Sequence, residues 1–251
     1  SNPPMLQHRP GISRLRCALR SRPKPTVLAQ AVVRPLSRTP ALEDHTLKLQ
    51  RFADESLESF SLGIMGDLHL APEQMHLFHD ARAHFQAAMC GAAPGSGRMA
   101  QLGDLGHGKH RSGSRACFEY ARDFMQSFQI PYAMILGNHD LEGDEFATDP
   151  DNLEAWLDTW QQPHHWAAPL GRHVTVIGLS TVRYRNNNFS NHEVFIDDAQ
   201  VAWFEAQLRA ATAAQRAVIV LTHAPPQGCG LKVVQEVHVK NRCAWLNHSD
   251  R

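Results

Sequence analysis

The stretch AMILGNHD (residues 133–140) runs from four apolar residues straight into Gly137, Asn138, His139 and Asp140. An apolar run of this kind reads as a buried strand that ends at the glycine. Three consecutive side chains carrying lone pairs or a movable proton are more than a turn needs. Three other apolar runs end in the same manner, in GDLH (66–69), GDLG (103–106) and THAPP (222–226). In an open α/β sheet the carboxyl ends of the strands converge on one rim, where ligands bind. Residues far apart in the sequence are therefore expected to form one site.

The intervening sequence supports that geometry. Strand-like runs at 60–67, 99–104, 132–138, 173–181 and 217–223 alternate with helix-like stretches at 72–90, 114–128, 152–160 and 197–211. This alternation predicts a layered α/β domain with a largely buried sheet. No internal repeat or heptad pattern interrupts it. The side chains at the four strand ends are Asp67 and His69, Asp104, Asn138 with His139 and Asp140, and His223. Carboxylate, imidazole and amide donors without thiolate suit manganese, iron or a non-structural zinc ion.

In that order and at those positions, GDLH, GDLG, GNHD and LTHAPP resemble the calcineurin-like metallophosphoesterase superfamily, with its D-x-H, G-D, G-N-H-D/E and later His motifs. DDAQVAWFEAQL (197–208) is similar to the helix that many members carry before the strand bearing that His. The resemblance covers about residues 58–251. It implies a four-layer α/β/β/α sandwich with two mixed sheets and a centre of two divalent metal ions, manganese, iron or zinc. Carried over, Asp67 and His69 bind one ion, Asp104 bridges both, and Asn138 and His223 bind the second. His139 faces the substrate, to stabilise the phosphoryl group or protonate the leaving oxygen, and Asp140 orients its neighbours. The implied reaction is hydrolysis of a small phosphomonoester or phosphodiester by a metal-bridging hydroxide. Two ions about 3.5–4 Å apart generate such a nucleophile near neutral pH and clamp the phosphoryl oxygens. A protonated imidazole beside them contributes roughly 10²- to 10⁴-fold as a general acid.

The family's last motif, G-H-x-H, is not found in the 28 residues after His223, and neither His238 nor His248 has its context. A chain extending past Arg251, with the C-terminal strands lying there, is the expectation. The competing reading is a non-catalytic binding or scaffold protein with an incomplete metal site.

Charge is unevenly spread. Residues 1–42 hold eight Lys or Arg and no acid, whereas the remainder carries 17 basic and 25 acidic residues. The head, taken as 1–50 against a domain at 51–251, reads as an organellar transit peptide, chloroplast favoured over mitochondrion, with an ordinary basic extension as the alternative. The acidic body argues against a nucleic-acid partner. Five scattered cysteines suit reduced thiols in an intracellular compartment. No apolar run approaches the roughly 20 residues a membrane span needs, so a soluble protein is expected. His107, Lys109, His110 and Arg111 follow the second motif and read equally as a grip on substrate phosphate or a solvated loop. Arg183, Arg185 and His192 are weaker candidates for the same role. Glu73, His76, Asp80 and His84 read as the polar face of an amphipathic helix. GAAPGSG (91–97) lacks the Lys-Ser/Thr ending of a phosphate-binding loop.

Overall fold

In the computed structural model, residues 47–90, 94–106, 113–182 and 196–224 are described. All lie in the second of two units of the chain, Pro40–Arg251. Helix α1 (Leu47–Phe52) leads to strand β1 (Ser61–Met65), a 3-10 helix (Pro72–Phe78), α2 (His79–Cys90) and β2 (Gly97–Gln101). Next come α3 (Arg115–Ser127), β3 (Tyr132–Met134), α4 (Asp149–Trp160), β4 (Trp166–Leu170), β5 (Val174–Leu179), α5 (Asp198–Ala213) and β6 (Ala217–Thr222).

The described strands form two three-stranded sheets, β1-β2-β3 and β4-β5-β6. The first is parallel, with Ile64 opposite Ala100 and Ala100 opposite Ala133. The second pairs β4 with β5 antiparallel and β5 with β6 parallel. Among the described residues, then, only the second sheet is mixed, where two mixed sheets were expected. Strand β2 is buried at all five positions, as the centre of a parallel sheet must be.

Alternation along the strands sorts the core into two. Met99, Tyr132 and Met134 turn to one face and pack with Phe118, Phe124, Met125, Trp156 and Trp160 of α3 and α4. Their neighbours Ala100, Ala133 and Ile135 turn to the other and meet Trp166, Ala168, Val176 and Leu221 of the second sheet. The two sheets therefore lie face to face, with helices covering the outer face of the first. The Trp166 indole N–H donates to the Met134 carbonyl at 2.7 Å, tying one sheet to the other.

Local chemistry explains the helix bounds. In α3 the buried residues Cys117, Phe118, Ala121, Phe124 and Met125 repeat at helical spacing, and the Ser114 hydroxyl accepts the Cys117 N–H. Helix α4 begins three residues before the expected Asn152, because Thr148 caps it and Pro150 fits its first turn. The amphipathic stretch from Pro72 opens as a 3-10 helix before α2 takes over.

Two elements have no counterpart in the sequence reading. Strand β4, WAAPL, carries Pro169, which marks edge strands, and among the described strands β4 is an edge, with one isolated bridge from Leu170 to Asp54. Helix α1 starts at Leu47, inside the stretch assigned to the head, and its Phe52 is fully buried. Arg98 secures it: from within buried β2 it donates to the carbonyls of Phe52, Gly95 and Gly97 and pairs with Asp54 at 3.2 Å. No helix among the described residues is long and apolar enough to cross a membrane.

Candidate metal centre

Because β1, β2 and β3 run parallel, their carboxyl ends share one rim, and β6 delivers its own end beside them. Beyond β1 the chain continues alongside the segment after β2. Asp67 N–H donates to the Gly103 carbonyl, His69 N–H to Asp104 and Leu70 N–H to Leu105, at 3.3, 3.1 and 2.7 Å. Asp67, His69 and Asp104 each adopt a left-handed backbone, with φ of 49°, 45° and 54°. This conformation costs a residue bearing a Cβ about 1–2 kcal/mol. Gly103 and Gly137 allow the two loops to touch. A Cβ at Gly103 would lie 2.2 Å from the Gly137 nitrogen, and one at Gly137 would lie 2.1 Å from Asp104 Oδ1. Both motif glycines are thus required by close backbone approach.

Asp104 is the hub. Its Oδ2 lies 4.0 Å from His69 Nε2 and 3.5 Å from His223 Nε2, while its Oδ1 accepts the His139 N–H at 2.9 Å. Two groups of potential ligands form, His69 with Asp104 and His139, and Asp67 with Asp104 and His223. Within each, one donor atom per residue falls inside 4.8 Å of the others, and Asp104 belongs to both.

The donor set fits a cation. His223 Nδ1 meets the Leu102 carbonyl at 2.8 Å, which can only accept, so Nδ1 carries a hydrogen. Nε2 is left facing Asn138 Oδ1 at 3.0 Å and Asp104 Oδ2. In the neutral ring this brings three electron-pair donors together, the arrangement a metal ion satisfies.

Burial shapes the electrostatics. Burial pushes Asp104 up to about 7, opposed by the charge and backbone N–H of His139. Burial, then the Asp104 charge, pushes Asp140 up to about 7 as well. A cation at Asp104 would reverse its shift. His69 lies 3.9 Å from Asp67, yet burial and the neighbouring His139 outweigh that carboxylate and hold its imidazole below the usual range. His139 is raised, chiefly by its hydrogen bond to Glu142.

Asp67, His69, Asp104, Asn138, His139 and His223 gather at the rim. Asp140 lies beneath it, its Oδ2 accepting the backbone N–H groups of Gly137 at 2.8 Å and Asp104 at 3.2 Å. His107, Lys109, His110, Arg111, Arg183, Arg185, His192, His238 and His248 lie outside the described residues. Two contributors went unread. Glu142 follows His139 by three residues, a spacing that signals contact across one turn. Asn152 donates to the carbonyls of Gly113 and Asp140 and accepts the Gly143 N–H. It sat in a predicted helix, where a lone Asn gives no signal of such a role.

A profile of the calcineurin-like phosphoesterase family matches residues 60–245. No curated protein matches the chain. Among solved structures, a dimetal phosphatase from Danio rerio is similar over 68% of this chain and 71% of its own, with 15% identity and a TM-score of 0.49. With a profile match spanning all four strand ends, this chain belongs to the calcineurin-like phosphoesterase family.

Proposed function

We propose that this protein is a metal-dependent phosphoesterase acting on a small phosphorylated substrate, built on the family's four-layer α/β/β/α sandwich. The observation that carries the reading is the sharing of Asp104 between two groups of His and Asp ligands. On the family's pattern Asp67 and His69 would hold one divalent ion and Asn138 and His223 the other, with Asp104 shared. The distances instead group His69 with His139 and Asp67 with His223, so this division of ligands rests on the family pattern, and the structural support is the sharing of Asp104. Manganese, iron and zinc all suit these donors. Such a pair, when bound, supplies an acidified water and positive charge toward phosphoryl oxygens.

The chain's own residues do the rest. Burial of Asp104 keeps its carboxylate out of competition with water. Asp140 accepts an N–H from each of two loops, Gly137 and Asp104, and so fixes their spacing from below. His139, raised by Glu142, is the acid that would give its proton to the leaving oxygen. The acidic domain leaves nucleic acid a poor substrate.

The test is direct. The purified protein is stripped of metal, reloaded with manganese, iron or zinc, and assayed on p-nitrophenyl phosphate and bis(p-nitrophenyl) phosphate. Two ions per chain and hydrolysis that a chelator abolishes are expected. Bound metal with both esters left intact would make the protein a metal-binding scaffold instead.

A further inference from the structure

His139 is held by a group that its motif does not include. Its Nδ1 lies 2.5 Å from Glu142 Oε2. A carboxylate can only accept, so Nδ1 carries the hydrogen of this bond. We propose that Glu142 is the positioning residue of His139, fixing the tautomer and direction of the imidazole so that Nε2 is the nitrogen presented to substrate. The inference rests on the phosphoesterase reading above.

Three observations carry it. First, Glu142 sits at the end of the 3-10 turn His139–Leu141, and its own N–H donates to the His139 carbonyl at 3.3 Å, which brings the two side chains onto one edge. Second, the carboxylate is turned away from water: Oε1 is buried and makes no hydrogen bond. Such a group costs free energy unless it is paired, and His139 is its partner. Third, the turn cannot swing outward. The next residue, Gly143, donates its N–H to Asn152 Oδ1 at 2.8 Å, and Asn152 is 1% exposed. The ring is also confined by His69, which meets it edge-on with centroids 5.2 Å apart. An imidazole without Glu142 would keep this neighbour but lose the contact that selects which nitrogen bears the hydrogen.

The metal-loaded full chain is compared with Glu142→Ala, Glu142→Gln, His139→Asn and the double variant His139→Asn/Glu142→Ala, on p-nitrophenyl phosphate and on an alkyl phosphate. A positioning role predicts a fall in kcat of about 10- to 100-fold in Glu142→Ala with KM little changed. The fall should be greater on the alkyl ester, whose leaving oxygen needs the proton more, and Glu142→Gln, which keeps an acceptor oxygen, should recover part of it. The double variant should be no slower than His139→Asn, because Glu142 acts through that ring. A readout independent of activity is the nitrogen-15 spectrum of the metal-free protein, in which His139 should carry its hydrogen on Nδ1 and lose that preference in Glu142→Ala. Losses that multiply in the double variant, or a wild-type ring protonated on Nε2 alone, would overturn the proposal. Full kcat in His139→Asn would overturn it too, while metal-dependent hydrolysis that still required Asp104 would leave the phosphoesterase reading standing.

Discussion

Among the described residues, six other than glycine adopt a left-handed backbone, and they fall into two sets. Gln129, Gln161 and Gln215 follow helices α3, α4 and α5. Their N–H groups donate to Gln126, Leu157 and Thr212, closing the last turn of each helix. Asp67, His69 and Asp104 instead stand at strand ends, beside the candidate metal centre. Asp enters this backbone more readily than Gln does, and only the second set places its side chains where their atoms converge. At the helix ends glycine would serve as well, and nothing in the structure explains why glutamine stands there. At the strand ends glycine would remove the ligands. Strain marks a functional site only where the strained side chain itself is needed.

The largest break of this comparison comes from Asp104→Asn. Asn tolerates the left-handed region, so the fold should persist, and the side-chain chemistry alone is tested. If a metal pair supplies several kcal/mol toward phosphoryl transfer, losing its shared ligand should cost about 10³-fold in kcat/KM. Metal content should fall with it. Unchanged metal-dependent hydrolysis would mean that the strain at the strand ends serves some other end.

Strained conformations persist when their surroundings over-determine them, which makes Asn152 the next test. Its amide makes three hydrogen bonds, to Gly113, Asp140 and Gly143. Asn152→Ala leaves three buried backbone groups without partners, for a loss of about 3 kcal/mol. Denaturant melts would record it as a lower midpoint with unchanged slope. A loss below about 1 kcal/mol would show that the GNHD turn is held by the neighbouring loop contacts instead.

The rim also differs from the turn before β4 in its response to pH. In the metal-free protein Asp104 and Asp140 are raised to about 7. Their folded forms bind protons that the unfolded carboxyls have released, so their contribution is complete below about pH 4 and is lost as pH rises toward 7. His164 shows the opposite sign. Burial, and then the charge of His165, lowers it to about 4, against a smaller opposing effect of Asp197. It stabilises the fold above its ordinary value of 6.5, and that stability is lost as pH falls toward about 4, by roughly 2–3 kcal/mol. His164→Gln removes this limb. Metal-free His164→Gln should then gain stability steadily on acidification from pH 7 to 4.5, where the wild type gains less. Parallel curves for the two proteins would show that His164 titrates normally.

What the sequence disclosed follows from where its signals are local. The strand ends were readable because each combines an apolar run with a glycine and a metal-ligating side chain within a few residues. Helix α3 was readable because Ser114 and the spacing of Phe118, Ala121 and Met125 are themselves local. Strand β4 was not, since a five-residue run with two alanines and a proline lacks both length and β-branched residues. What makes it a strand is Trp166, whose indole reaches the Met134 carbonyl 32 residues earlier. Asn152 was hidden for a related reason, because an amide has meaning only once its partners are known, whereas Glu142 left one local trace, its i, i+3 spacing from His139. The left-handed backbone at Asp67, His69 and Asp104 also left no trace, because it arises from the loop after β1 running beside the loop after β2.

The smallest effect sharpens the comparison from its other side. Gln161 closes helix α4 with φ of 51° and ψ of 46°, its N–H donates to the Leu157 carbonyl at 2.7 Å, and its side chain is exposed. Gln161→Gly keeps that backbone bond and removes the clash between Cβ and carbonyl, a gain of about 1–2 kcal/mol. Against this stands the greater freedom of glycine in the unfolded chain, which costs about 0.4–1 kcal/mol. The strain term should win, raising stability by about 0.5–1 kcal/mol and Tm by a few degrees, with kcat untouched. His69→Gly offers the same relief of strain at the rim, but there the imidazole is lost and metal content should drop. A fall in Tm for Gln161→Gly would mean that unfolded-state entropy outweighs left-handed strain in this protein. The strained strand ends would then carry no measurable cost, and their residue choice would rest on ligand chemistry alone.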